Sequence, residues 1–421
     1  MKLILTPGKP LRGVITPQQR PSLPGDKSLS HRAALFAALA QGVSQIDNFL
    51  VSGVTRAMLD ALTALEVPWE LQGTTLRVTG KGPRQLCAPA KAISCGNSAT
   101  TLRLLAGALA AAGIGATLDG SDGLRRRPMG RIVDPLQAMG VAIQASRSGT
   151  APLVLQARPA QQPLRPLHYT LPVASAQVKS CLLLAALAAE GQTTLLEPGP
   201  SRDHTERMLK SMGVDVVSQP PSETQPYYQT QLTPSPAMTL SPLHMRLPGD
   251  LSAAAFLIVA ALITPGSRIT LESVGLNPTR TGLLDALQQM GALIEITPLP
   301  EQAGEPLGNL TIASSALQGT RVGGPLVVRM IDEFPAFAIA AAYAQGETVV
   351  ADAEELRHKE SDRIGKLCQE LRLLGVEVEE KPDGFVIHGR PPLQGATVQS
   401  HGDHRLAMAL SIAGLGASTE L

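Results

Sequence analysis

The sequence predicts an α/β protein of two inside-out domains, each made of three βαβαββ units, and three observations carry that reading. Six stretches share one pattern of small, polar or acidic residues, an Ala/Leu-rich helix, a Gly or Pro-Gly stop, and a short β-branched strand. Their openings, at Asp26, Gly96, Ser175, Asp250, Asp332 and Asp403, lie 70, 79, 75, 82 and 71 residues apart, too long for a simple solenoid repeat. Between the openings run second helices with apolar residues at i, i+3, i+4 and i+7. A helix that is apolar all round must be buried all round, so the Ala/Leu helices belong inside and the sheets outside.

The elements run in order along the chain. "PGDKSLSHRAALFAALAQG" (24–42) crowds Asp26, Lys27, Ser28, Ser30, His31 and Arg32 at the mouth of the first apolar helix, and "TRAMLDALTALEV" supplies its amphipathic partner. "GNSATTLRLLAGALAAAGIGATLDG" with "MGRIVDPLQAMGV", and "SAQVKSCLLLAALAAEGQTTLLEPG" with "DHTERMLKSMGV", repeat the unit. The Pro-rich stretch 219–250 reads as an irregular segment at a domain seam, with three openings before it and three after. "DLSAAAFLIVAALITPGSRITLESVG", "DEFPAFAIAAAYAQGETVVADAEEL" and "DHRLAMALSIAGLGASTEL" open the second set, with "TRTGLLDALQQMGA" and "ESDRIGKLCQELRLLGVEVEE" between them.

Composition narrows the function. A chain of 421 residues suits two domains of roughly 200 residues each. Net charge of +1 and 3% aromatic residues argue against a nucleic-acid partner. The four cysteines show neither CxxC nor metal-like spacing and suit a reducing cytosol. The start, "MKLILTPGKPLRG", reads as neither signal nor transit peptide, and the apolar helices fall short of the roughly 20 residues a membrane span needs. No GxSxG, Walker, HExxH or GxGxxG pattern occurs. The expectation is a cytoplasmic monomer without a membrane or nucleic-acid partner.

The openings carry the chemistry. A helix N-terminus presents unpaired N–H groups and about half a positive charge, so openings with cations beside them attract anions. Lys27, Arg32, Arg103, Lys179 and Arg405 lie on openings, and Arg127, Arg131, Arg202, Lys359 and Arg363 lie on neighbouring loops. Taken singly, a Ser or Asp there is a cap and an Arg is a solvated face. Their recurrence in most copies points to small, multiply anionic ligands. Asp332, Glu333, Glu360, Asp403 and His404 add acid and base candidates.

The motifs "LPGDKSLSHR", "GNSATTLRLLAG", "RPMGRIVDPLQAMG", "ASAQVKS", "RDHTERML", "NPTRTGLL", "MIDEFPAFAIAAA", "LRHKESDRI" and "GDHRLAMAL" closely resemble the 5-enolpyruvylshikimate-3-phosphate synthases of the enolpyruvyl transferase family, in order from about residue 5 to 415. The resemblance implies a chain that crosses twice, with one domain over 1–22 plus 246–421, the other over 23–245, and an active site in the cleft between them. It implies transfer of the enolpyruvyl group of phosphoenolpyruvate to the 5-hydroxyl of shikimate 3-phosphate, by addition–elimination through a tetrahedral intermediate with release of phosphate. No metal or organic cofactor is implied.

Carried over by motif, Lys27, Ser28, Arg32, Ser175, Ala176, Gln177, Arg202, Asp332 and Lys359 would hold shikimate 3-phosphate. Lys27, Asn97, Ala99, Arg127, Gln177, Arg363 and Arg405 would hold phosphoenolpyruvate, where forked guanidinium groups suit planar anions. Asp332 would accept the 5-hydroxyl proton, and Lys27, Glu360 and His404 are candidates for moving protons at the enol carbon. The methyl of Ala99 would narrow the phosphoenolpyruvate pocket and disfavour the herbicide glyphosate.

Two departures accompany the resemblance. Ser52 and Gly53 stand where members carry acidic residues, and the chain ends at "LGASTEL", short of a last helix-and-strand segment, so the sixth unit is expected to be incomplete. Two other readings stay open. One is the sister transferase acting on UDP-N-acetylglucosamine, whose loop cysteine is missing from "DGSDGLRRRP". The other is a non-catalytic phosphometabolite-binding protein.

Overall fold

The computed structural model describes residues 3–4, 8–17, 22–159, 162–235, 237 and 239–417. Two compact units emerge, one of Met1–Leu23, Gly249–Pro300 and Pro306–Leu421, the other of Pro24–Pro248 and Glu301–Glu305.

Among the described residues, five four-stranded sheets share one strand order. In the simplest, His168–Thr170 leads, the buried helix Ala176–Ala186 crosses over, and Thr193–Glu197 returns parallel to the leading strand. The amphipathic helix His204–Ser211 comes next, and the hairpin Asp215–Gln219 with Tyr228–Thr233 closes the sheet antiparallel. That is the βαβαββ unit read from the repeat. Ile93–Ser94, Ala116–Asp119, Leu153–Leu155 and Ile143–Gln144 repeat it, as do Arg321–Val322, Gly346–Val350, Gly384–Gly389 and Glu377–Lys381.

The other two sheets take their leading strands from elsewhere in the chain. Arg12–Ile15 precedes the helix Lys27–Leu39 in sequence, yet it pairs parallel with Arg268–Gly275. His244–Arg246 precedes the helix Leu251–Ile263, yet it pairs parallel with Gln41–Asp47. Each leading strand therefore completes the sheet of a later or earlier unit. The sixth unit contributes the helix His404–Ala413 among the described residues, and residues 418–421 of its "LGASTEL" end lie outside them.

One expectation is corrected. The stretch 219–250, read as irregular, contains the strand Tyr228–Thr233 and the leading strand His244–Arg246. Its prolines masked the alternation that buries Thr230 and Leu232 and leaves Gln229 and Gln231 half-exposed. Ser52, noted for replacing an acidic residue, is the N-cap of Gly53–Ala64, and its hydroxyl and that of Thr55 cap each other's backbone N–H.

Burial explains why the repeat reads as it does. Residues 29–39 of the first helix and every residue of Phe334–Ala342 are buried. The strand Leu293–Gln302, by contrast, is mostly exposed along its length. Small side chains let neighbouring helices approach closely. A Cβ on Gly107, in the helix Ala99–Ala112, would stand 2.1 Å from the carbonyl oxygen of Cys181 in the helix Ala176–Ala186. Gly107→Ala is expected to lower unfolding free energy by at least about 1–3 kcal/mol in urea titrations. Gly53→Ala, whose added Cβ meets nothing within 4 Å, serves as the neutral control.

Candidate active site

In the unit built around Pro24–Pro248, three helix openings and the loops beside them carry the candidate groups. Asp26 caps Lys27–Leu39, its Oδ1 accepting the Leu29 N–H at 2.8 Å. This sets Lys27 and Ser28 in the first turn, with Ser28 Oγ accepting from Arg202 Nη1 at 3.2 Å. Arg32, one turn further, is only 2% exposed. Its Nε donates to Thr205 Oγ1 at 2.8 Å, Nη1 to the Ser28 carbonyl at 3.0 Å, and Nη2 to Ser180 Oγ at 2.7 Å. All three acceptors are neutral, and burial lowers its pKa to about 10, partly offset by the charge of Glu206. A buried guanidinium without a touching carboxylate favours an anion nearby.

Gln177 sits in the first turn of Ala176–Ala186, behind the cap Ser175 and next to Ala176. Its Oε1 accepts from Arg103 Nη1 at 2.7 Å and its Nε2 donates to Thr100 Oγ1 at 3.0 Å. Arg103 also donates from Nη2 to the Pro128 carbonyl at 2.9 Å, which ties the loop carrying Arg127 to the same network. Asn97 Oδ1 accepts from Ser121 Oγ at 3.1 Å, and Ala99, 2% exposed, begins its helix behind the cap Ser98.

His31 links two of these openings. Its Nδ1 lies 2.7 Å from the Lys27 carbonyl and its Nε2 3.2 Å from Ser98 Oγ. Nε2 also lies 3.2 Å from the Val54 carbonyl, so the single N–H of the neutral ring meets a carbonyl acceptor in either tautomer. Burial, joined by the charges of Lys27 and Arg32, lowers its pKa from 6.5 to about 4.

One sequence reading fails here. Lys179, expected among the anion-attracting cations of the openings, points its side chain into the unit, 2.5 Å from Glu197 Oε1 and 2.8 Å from Glu206 Oε1. Burial disfavours its charge, and the two carboxylates outweigh burial and raise its pKa. Burial raises the pKa of Glu206 despite Lys179. Both effects arise from one ammonium shared by two desolvated carboxylates, so Lys179 is spent internally.

The unit that contains Gly249–Pro300 and Pro306–Leu421 holds the second group. Arg363, 1% exposed, opens the helix Arg363–Leu373. Its Nε donates to Asp403 Oδ2 at 2.8 Å and its Nη2 to Glu360 Oε2 at 2.7 Å. Asp332 lies between two guanidinium groups, with Oδ1 3.7 Å from Arg363 Nη1 and Oδ2 3.7 Å from Arg405 Nη2. Asp403 caps the helix His404–Ala413 by accepting the Arg405 N–H at 2.9 Å. Burial raises the Asp403 pKa, but the hydrogen bond and charge of Arg363 outweigh it and the pKa is lowered. The side chain of His404 is 58% exposed, its Nδ1 4.0 Å from Asp403 Oδ1, and half-buried Lys359 ends the turn Glu354–His358.

Glu333 diverges from its neighbour Asp332. It is 1% exposed and accepts from Ser252 Oγ, with Arg280 Nη2 3.6 Å away. Arg280 also donates to Ser252 Oγ at 2.6 Å. Glu333, an acid–base candidate by sequence, is a buried structural carboxylate. Ser180 and Thr205, which hold Arg32, escape a sequence reading because a hydroxyl in an apolar helix looks like any other small residue. Their spacing of four and three residues from Ala176 and Arg202 was the available signal.

Known proteins share both this sequence and this fold. A family model described as EPSP synthase (3-phosphoshikimate 1-carboxyvinyltransferase) matches residues 5–421. The chain is 46% identical to the 3-phosphoshikimate 1-carboxyvinyltransferase of Desulforamulus reducens, over 99% of this chain and 94% of that protein. It is 48% identical to the protein of the same name from a Roseiflexus species, over 99% and 93%. The solved structure of EPSP synthase from Acinetobacter baumannii matches with a TM-score of 0.87 and 40% identity, over 99% of this chain and 92% of that one.

The depressed pKa of His31 gives a test. Between pH 6.5 and about 4 the unfolded chain binds a proton that the folded chain refuses, so stability falls as pH drops through that window. The full loss is about 3 kcal/mol. Urea titrations across this range should show the slope in the natural chain, and its loss in His31→Gln.

Proposed function

We propose roles for these residues from one premise: the chain belongs to the EPSP synthase (3-phosphoshikimate 1-carboxyvinyltransferase) family. It transfers the enolpyruvyl group of phosphoenolpyruvate to the 5-hydroxyl of shikimate 3-phosphate and releases phosphate. The UDP-N-acetylglucosamine and non-catalytic readings are not favoured, since the relatives carry the shikimate name over nearly their whole length.

In our reading Lys27, Ser28, Arg32, Ser175, Ala176, Gln177, Arg202, Asp332 and Lys359 hold shikimate 3-phosphate. Lys27, Asn97, Ala99, Arg127, Gln177, Arg363 and Arg405 hold phosphoenolpyruvate. The observation that supports it most directly is Asp332 set 3.7 Å from both Arg363 and Arg405. A carboxylate there takes a hydroxyl proton while the two guanidinium groups steady an incoming phosphate or carboxylate. The 5-oxygen bonds to C2 of the enol as a proton is delivered to C3, giving the tetrahedral intermediate. The C2–O bond to phosphate then breaks and C3 returns a proton. Lys27, Glu360 and His404 are the groups assigned to that proton traffic.

Arg32 fits this scheme as a buried cation whose touching acceptors are neutral, which a bound anion compensates. The methyl of Ala99 narrows the phosphoenolpyruvate side, so glyphosate competes poorly. No helix among the described residues is long and apolar enough to cross a membrane. We place the protein in the cytoplasm as a monomer with no nucleic-acid partner.

Phosphate release tests the function. It should occur on mixing with phosphoenolpyruvate and shikimate 3-phosphate, and not with UDP-N-acetylglucosamine as acceptor. Asp332→Asn should lower kcat about 100-fold or more with shikimate 3-phosphate binding within a few-fold. A variant with near-normal kcat would remove Asp332 as the principal base.

A further inference from the structure

The helix Arg363–Leu373 carries a second buried group that the proposed chemistry leaves unused. Glu370 lies two turns beyond Arg363, on the same side of the helix, and is 1% exposed. Both of its oxygens face the segment that leads into Asp403. Oε2 accepts the Gln399 N–H at 2.8 Å, and Oε1 accepts from His401 Nε2 at 2.7 Å.

His401 and Gly402 have φ of 50° and 75°, and the Asp403 N–H closes the turn on the Ser400 carbonyl at 2.8 Å. Glycine accepts that backbone region freely, whereas a histidine there is uncommon and strained. The imidazole bond to Glu370 holds the strained residue in place. Asp403, the last residue of the turn, takes Arg363 Nε on one side and the Arg405 N–H on the other. A single helix therefore grips this segment twice, at Asp403 through Arg363 and at 399–401 through Glu370.

We infer that Glu370 is a positioning residue for the guanidinium pair Arg363 and Arg405, acting through the left-handed turn at His401 that aims Asp403. The inference deepens the proposed function, because it rests on those two arginines gripping phosphoenolpyruvate. Removing the tether leaves the arginines in the chain and frees the spacing between them. The consequence falls on phosphoenolpyruvate and spares shikimate 3-phosphate.

Two variants of the full chain test it. Glu370→Gln removes the charge, and His401→Gly removes the imidazole while keeping a residue that suits the positive φ. Each should raise KM for phosphoenolpyruvate about tenfold, the scale of one hydrogen bond to a charged group, with KM for shikimate 3-phosphate within twofold. Amide hydrogen exchange at Arg405 should quicken in both. Unchanged KM for phosphoenolpyruvate, an equal rise for both substrates, or unchanged exchange in a folded variant would overturn the tether. If Glu370→Gln does not fold, His401→Gly decides alone. A natural chain that makes no product overturns the enolpyruvyl reading, and the exchange measurement still judges the tether.

Discussion

The constraint on which the rest depends is that these helices are apolar on every side. Such a helix is stable only when protein surrounds it, so the units must pack with helices inward and sheets outward. Once the flanks are sealed, the opening is where a polar side chain finds room. There it meets unpaired backbone N–H groups, which favour oxygen acceptors and anions. Crowding at Asp26–Arg32 and at Asp403–Arg405 is thus a consequence of burying the remainder of each helix.

Burial then sorts the cations. Lys179 is closed off between Glu197 and Glu206, and its charge is consumed inside the unit. Arg280 is likewise engaged with Ser252, Asp250 and Glu333. Arg32 is as deeply buried, but its touching partners are neutral oxygens. Arg363 stands between these cases, saturated on two nitrogens by Asp403 and Glu360 while Nη1 faces Asp332 at a distance too long for a hydrogen bond. A buried ion pair adds little to stability by itself, but breaking one is costly, so these networks hold the openings in fixed arrangements. His31 does the same with a neutral ring, spanning the Lys27 carbonyl and Ser98.

Side chains adjacent in sequence divide their work by direction. Asp332 turns toward Arg363 and Arg405, while Glu333, the N-cap of Phe334–Ala342, turns to Ser252. Arg202 reaches Ser28, whereas Thr205, three residues on, reaches Arg32 beneath it. A layer of hydroxyls and carboxylates therefore supports each layer of candidate ligand groups.

The sequence by itself determined the class of fold, the unit and its repetition. Helical and strand periodicities are local, and an Ala/Leu run without a polar face has one outcome. It also determined the family, since motifs such as "LPGDKSLSHR" and "GDHRLAMAL" keep residue type and order along the whole chain. What only the tertiary structure decided was pairing across long separations. The exchange of the leading strands Arg12–Ile15 and His244–Arg246 has no local signature, and neither does the burial of Lys179 rather than its exposure. Periodicity records which face of an element is buried. Which partner meets that face, and which charge is thereby neutralised, depends on contacts between residues up to some 250 positions apart, as between Arg12 and Arg268, and no short window of sequence contains them.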